Sequence, residues 1–203
     1  AMNLDAATIE GHFTDPVLDA QATFRALMDV MARPGTRAEN FPVANPPAPL
    51  SSQAGAVALA LCDADTPIWL DSALREENAI GSWLAFQTGA PIVREPAEAH
   101  FAFVANPANL PALENFGQGS QEFPDRSATL VLQVETLSRG EQLRLEGPGI
   151  ETAAMLAPHP LPRHFIEQWA QNRARFPRGI DLVLVSAEGV AALPRTTTIS
   201  KEG

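Results

Sequence analysis

The run Ile180–Val185 constrains the fold more than any other stretch of the chain. It is of strand length, rich in Val, Ile and Leu, and broken only by Asp181. Pro177 and Gly179 bound it on one side and Glu188-Gly189 on the other, so it reads as a strand entered and left through turns. A strand apolar on both faces belongs inside a sheet that is covered on both sides. The Glu188-Gly189 turn sends the chain back through Val190–Leu193, which ends in Leu193-Pro194-Arg195-Thr196-Thr197. A rigid proline, a guanidinium and two hydroxyls at a sheet end suit an anion or a partner. They suit the capping of the strand end itself more readily.

The chain has 203 residues, a length that suits one domain spanning 1–203, and its 45% hydrophobic content can fill a large core. Its formal net charge of −10 disfavours nucleic acid as a partner. No run reaches the roughly 18 apolar residues of a membrane span, and no signal peptide is visible. The expected location is the cytoplasm. Ala1 before Met2 reads as a remnant of an expression tag and is set aside.

Missing residue types narrow the chemistry. Cys62 is the one cysteine, which rules out an internal disulfide, a CxxC zinc site and a self-contained iron–sulfur cluster. Lys201, in the tail, is the one lysine, so no internal lysine is available for a Schiff base with pyridoxal phosphate. Walker A, HExxH and GxSxG patterns are all lacking, and no metal or cofactor is expected.

In chain order, Asp15-Pro16 starts a helix that Pro34-Gly35 stops. Val17, Ala20, Phe24, Leu27, Met28 and Met31 fall on one face of it as an apolar stripe. Gln21 and Arg25 project together beside that stripe, either as a solvated face or as binding groups. Four prolines between Phe41 and Leu50 make an extended crossing. Ser51 or Ser52 caps a second helix, with Ala54, Val57, Ala58 and Leu61 inward. A third helix is predicted over Glu76–Gln87 with Ile80, Trp83, Leu84 and Phe86 as its apolar set. Strands are predicted at Ile68–Leu70, Phe101–Val104 and Thr129–Val134, and a half-exposed hairpin arm at Gln142–Glu146. Pro162 opens a last helix with Phe165, Ile166 and Trp169 inward. Six or seven strands and four helices give an α/β or α+β sandwich with a mixed sheet, not a strictly alternating parallel fold.

Other clusters are weaker. Gly147-Pro148-Gly149 lacks the third glycine of a dinucleotide loop, since position 152 is Thr152, and reads as a tight turn. Asp63 and Asp65 before Thr66-Pro67 read as turn formers more readily than as Mg²⁺ ligands. His159, between two prolines, reads as structural or solvated.

Seven segments taken together resemble the PhnH family of the bacterial carbon–phosphorus lyase (phosphonate utilisation) system. They are DAQATFRALMDVMARPG at 19–35, LCDADTPIWL at 61–70, FQTGAP at 86–91, SATLVLQV at 127–134, LRLEGPGI at 143–150, FPRGIDLVLV at 176–185 and LPRTT at 193–197. They are spread over nearly the full chain in the family's order. Gln87 stands where the family pattern leads one to expect His, and no role is placed there.

The resemblance implies a three-layer α/β/α sandwich similar to pyridoxal-phosphate-dependent transferases but without the cofactor. It implies a homodimer, expected to bury apolar side chains of helices outside the sheet. That dimer would work with the G, I and J components of the lyase complex, with K and L associated. The system's chemistry is transfer of methylphosphonate to the ribose C1 of ATP with release of adenine. The chain would serve chiefly as an assembly subunit, without activity alone. The other reading is a subunit that contributes an ATP or phosphonate site through Arg195, Thr196 and Thr197, with Gln21 and Arg25 as further candidates.

Overall fold

The computed structural model describes residues 10–203, and Ala1-Met2 lies outside them. Six strands form the main sheet: β1 (Ile68–Leu70), β2 (Ile92–Val93), β3 (Phe101–Val104), β4 (Thr129–Gln133), β7 (Asp181–Ser186) and β8 (Gly189–Leu193). Their spatial order is β2-β1-β3-β4-β7-β8. The first five are parallel, and β8 returns antiparallel from β7. A second, antiparallel sheet has the order β6-β5-β9, from Leu143–Glu146 (β5), Ala154–Leu156 (β6) and Thr198–Lys201 (β9).

Alternation along the strands divides the core into two halves. Val131 of β4 and Val183 and Val185 of β7 pack on one face. Leu130, Leu132, Leu182 and Leu184 pack on the other. The first face is covered by α1 (Pro16–Ala32), α2 (Ser52–Leu61), the short α3 (Ser72–Arg75) and α4 (Asn78–Thr88). The second face is covered by α5 (Phe165–Ala174), through Phe165 and Trp169, and by Leu143, Leu145, Leu156 and Ile199 of the small sheet. The mixed α/β class therefore holds, while the second outer layer is a helix and a small sheet together. Burial of both faces explains why Ile180–Val185 lacks the alternation of a half-exposed strand: Ile180 and Leu182–Val185 are all buried.

The helices follow their caps. Asp15 accepts a hydrogen bond from Leu18 N at 3.1 Å, and Pro16 opens α1. Ser51 accepts from Ala54 N at 3.1 Å and caps α2. Asp71 takes that role for α3, so the predicted third helix begins later than Glu76, after the short α3. Gly89 ends α4 in the left-handed conformation, φ 75°.

Two apolar stripes are only partly buried. In α1 the residues that go inward are Thr23, Leu27 and Val30, whereas Val17, Phe24 and Met28 are 66%, 48% and 44% exposed. The face turned to the sheet is thus rotated from the most apolar one. Phe86 of α4 is likewise 48% exposed, while Ile80, Trp83 and Leu84 are buried.

Gly147-Pro148-Gly149 is a close-packed turn. A Cβ on Gly149, whose φ is 83°, would stand 2.0 Å from the carbonyl oxygen of Ala32. Asp63 Oδ1 accepts from Asp65 N at 2.9 Å, and the Thr66 hydroxyl accepts from Asp63 N at 2.7 Å, the hydrogen bonding of a turn. Among the described residues no group of three His, Cys, Asp or Glu is placed to hold a metal ion. No described helix is long and apolar enough to cross a membrane.

Candidate functional site

Three places carry the chemistry-bearing residues: the amino end of the main sheet, the outer face of α1, and the carboxyl end of the sheet.

At the amino end, Arg195 does not present an open fork. Its Nε donates to Asp181 Oδ1 at 3.1 Å, and Nη2 donates to Asp181 Oδ2 at 2.7 Å and to the Ser127 hydroxyl. Nη1 donates to the carbonyls of Pro124, at 2.9 Å, and Pro177, at 3.2 Å. A guanidinium has five N–H groups, and all five have acceptors here. Asp181 opens β7 and Ser127 precedes β4, so the arginine ties two central strands to two proline turns. Both side chains of the pair are largely buried, at 13% and 15% exposure.

The backbone of the two neighbouring threonines is tied inward as well. The carbonyl of Thr196 accepts from Arg173 Nη1, and that of Thr197 accepts from Trp169 Nε1 at 2.8 Å. Thr197 is fully buried, and its Oγ1 has no hydrogen-bond partner among the described residues. The geometry makes Arg195 a lock across the sheet end, the capping role that the sequence also allows, with the Thr196 and Thr197 carbonyls tied to α5 beside it.

On α1, Gln21 and Arg25 line a shallow groove with Ala20, Phe24, Met28 and Ala60 of α2. Polar and apolar groups alternate on an exposed surface there. None of the groups hydrogen-bonded to Arg195 lines this groove, so the two sets of candidates share no residue.

The carboxyl end holds residues that the sequence alone did not single out. Asp71 follows β1 and is buried. One carboxylate oxygen accepts from Leu74 N at 3.2 Å, and the other accepts from Ala105 N at 3.0 Å and Asn106 N at 2.9 Å. It thereby fastens β1 to β3 where the chain order reverses, from β1 outward to β2 and from β3 towards β4 and β7. Ligands of open α/β sheets bind beside such a reversal, outside the carboxyl ends of the strands.

A cleft of about 430 Å³ lies alongside, over the ends of β3, β4 and β7 and against the start of α2. Gln133, at the end of β4, forms part of its wall. Its Oε1 accepts from Ser51 N at 2.8 Å and its Nε2 donates to Pro49 O at 3.0 Å. An Asp before a Ser-started helical turn is the one sequence signal that could have drawn attention to Asp71. The cleft itself is assembled from segments far apart in the chain and leaves no local motif.

Among the described residues two titratable groups are displaced from ordinary behaviour. Burial, aided by the nearby Asp63 charge, pushes the Cys62 thiol far up, so it stays protonated. Hydrogen bonds from Leu137 N, first, and from the Ser138 and Thr136 hydroxyls hold the Glu188 carboxyl below the usual glutamate range. Glu188 therefore clamps the segment after β4 to the β7–β8 turn.

Fold and sites together define an open mixed-sheet α/β protein with a locked amino end and a cleft at its carboxyl end. Residues 11–200 match the family described as bacterial phosphonate metabolism protein (PhnH), and the chain belongs to that family. It is 49% identical over 201 residues to the alpha-D-ribose 1-methylphosphonate 5-triphosphate synthase subunit PhnH of Rhizobium meliloti (strain 1021), covering 99% of this chain and 100% of the relative. A shorter match, 42% identical over 85 residues, is to the putative C-P lyase subunit protein HtxG of Stutzerimonas stutzeri, covering 42% of this chain and 44% of that protein.

Proposed function

We propose that this chain is the H-type subunit of an alpha-D-ribose 1-methylphosphonate 5-triphosphate synthase within a carbon–phosphorus lyase system. In this reading it acts mainly by assembly, in the cytoplasm, as a homodimer that docks on subunits of types G, I and J, with K and L associated. Full-length similarity to the Rhizobium meliloti subunit supports the family role.

The single structural observation that carries the assembly reading is the outward-facing apolar row of α1. Val17, Phe24 and Met28 are each more than two-fifths exposed on one helix, beside Gln21 and Arg25. Exposed aromatic and Met side chains flanked by an arginine have the composition of an interface centre. The Arg195 lock supports the same reading from the other side, because the strongest anion-binding candidate is consumed by internal bonds.

The fold's kinship to pyridoxal-phosphate-dependent transferases without the cofactor remains part of the proposal. The lack of the cofactor within that kinship is supported by Lys201, the one lysine, which lies on strand β9 of the small sheet and pairs with Glu141 at 3.1 Å.

Co-expression with G-, I- and J-type subunits tests assembly. The tagged chain is expected to retain them through affinity and size-exclusion steps, and Phe24→Asp to lose either its own dimer or the retained subunits. Retention by Phe24→Asp equal to that of the original chain, with the dimer intact, would refute the role of α1.

A further inference from the structure

The cleft at the carboxyl end of the sheet has a lining of distinctive chemistry. Its polar side chains are Ser51, Gln53, Asn106, Gln133, Glu135 and Ser186. Five are neutral hydrogen-bonding groups, one is a carboxylate, and none is a cation. Part of this capacity is already used: Ser51 Oγ accepts from Ala54 N, Gln133 bonds the α2 start on both sides, and Ser186 Oγ accepts from Glu188 N at 3.0 Å. What remains is the amides of Gln53 and Asn106, the carboxylate of Glu135, and the hydroxyl protons of Ser51 and Ser186. These are both donors and acceptors, spread over α2 and the ends of three adjacent strands.

A phosphate or phosphonate finds no Arg or Lys in this lining and meets the like charge of Glu135, which leaves the N–H groups at the start of α2 as its one source of attraction. A hydrophobic ligand would leave the amides unpaired. The matching class is a compound with several neighbouring hydroxyls, each able to donate to one group and accept from the next. A carboxylate just beyond a parallel strand is suited to the two hydroxyls of a ribose, as in dinucleotide sites, where an acidic residue takes the ribose hydroxyl. Glu135 stands two residues past the end of β4. The cleft's size, about 430 Å³, falls in the range of small-molecule sites.

We infer that this cleft is a pentose site. It binds the vicinal diol of a ribosyl group, with Glu135 accepting from the two hydroxyls and Gln53 and Asn106 fixing the ring. Charged substituents of the ribosyl compound project from the cleft towards solvent or a partner subunit. The inference rests on the proposed synthase role only for its choice of a ribosyl probe; the chemical class comes from the lining.

The test uses the intact chain labelled with ¹⁵N, titrated with adenosine and, separately, with 2′-deoxyadenosine, which keeps the base and lacks the diol. Adenosine is expected to shift the side-chain amide signals of Gln53 and Asn106 saturably. The deoxy compound is expected to bind roughly tenfold more weakly, the loss of about one hydrogen bond to a charged acceptor. Glu135→Gln, an exposed position, is expected to weaken adenosine by a similar factor while leaving the melting temperature unchanged.

Equal binding of the two nucleosides, shifts confined to other residues, or no shift at millimolar adenosine would overturn the inference. Co-purification with the partner subunits is read on the same Glu135→Gln preparation and is expected to be unaffected. Failure of the pentose site with assembly intact leaves the subunit role standing. Failure of the original chain to assemble removes that role whatever the nucleosides do.

Discussion

The two ends of the main sheet are built from similar materials to opposite effect. At the amino end a largely buried Arg195–Asp181 pair joins β7 and β8 to the turns at Pro124 and Pro177, and every guanidinium N–H is satisfied. At the carboxyl end a buried carboxylate, Asp71, performs the same stitching between β1 and β3, but the neighbouring strand ends at β4 and β7 stay open as a cleft. The charge most suggestive of a ligand therefore closes the structure, and the neutral amides that no motif marks leave it open. A conspicuous residue at a strand end is evidence of function only after its hydrogen bonds have been counted.

The comparison breaks most decisively at Arg195. Arg195→Ala leaves Asp181 buried without its partner and is expected to cost about 3 kcal/mol in urea unfolding, the range for breaking a buried pair. Arg195→Lys keeps the charge but loses the fork, and is expected to fall between the two. A loss of under about 0.5 kcal/mol for Arg195→Ala, the size of an ordinary surface change, would show that the amino end is not locked.

Asp71→Ala ranks next. It removes the α3 cap and the acceptor for two strand-end amides, for an expected loss of about 2 kcal/mol, with Asp71→Asn milder. If Asp71→Ala proves as stable as the original chain by the same unfolding measurement, the two ends are not stitched alike.

Glu188 gives a smaller, pH-dependent effect. Its folded pKa is depressed, so the carboxylate contributes stability that is fully present above the ordinary glutamate value of about 4.3. That contribution is lost as pH falls through the lower folded value. Glu188→Gln is expected to lower the melting temperature at neutral pH, with the gap narrowing on acidification. A gap that stays constant or widens in acid would contradict the hydrogen-bonded carboxylate.

The smallest effect concerns Cys62, whose thiol is buried and kept protonated. Native protein is expected to react with a disulfide reagent far more slowly than urea-unfolded protein at the same pH. Rapid native labelling would show that the core beneath α2 opens.

Much of the fold is legible in the sequence, because strands covered on both faces and helices with Ser or Asp caps announce themselves locally. Ile180–Val185, Thr129–Val134, Ser51 and the Glu188-Gly189 return are examples. The third layer is harder to foresee, because β6 and β9 are short and partly exposed, and their pairing with β5 spans more than fifty residues on one side. The α1 stripe misleads for a physical reason: Thr23 can turn inward because its hydroxyl donates to Asp19 O at 2.8 Å within the helix, leaving Phe24 and Met28 outside. Arg195 and its neighbours are visible as candidates, but only the fold shows Asp181, Ser127 and two carbonyls converging on one guanidinium. The cleft is illegible because Ser51, Asn106, Glu135 and Ser186 meet only after the strands align.

The subunit role proposed above runs through an exposed face of α1 and not through Arg195. The most direct measurement is growth on methylphosphonate of a Rhizobium meliloti strain in which this chain replaces the native relative. The original chain is expected to support growth, Arg195→Lys to support it wherever the protein remains folded, and Phe24→Asp to fail although folded. Normal growth with Phe24→Asp, together with lost growth for a folded, fully assembled Arg195→Lys, would contradict the account.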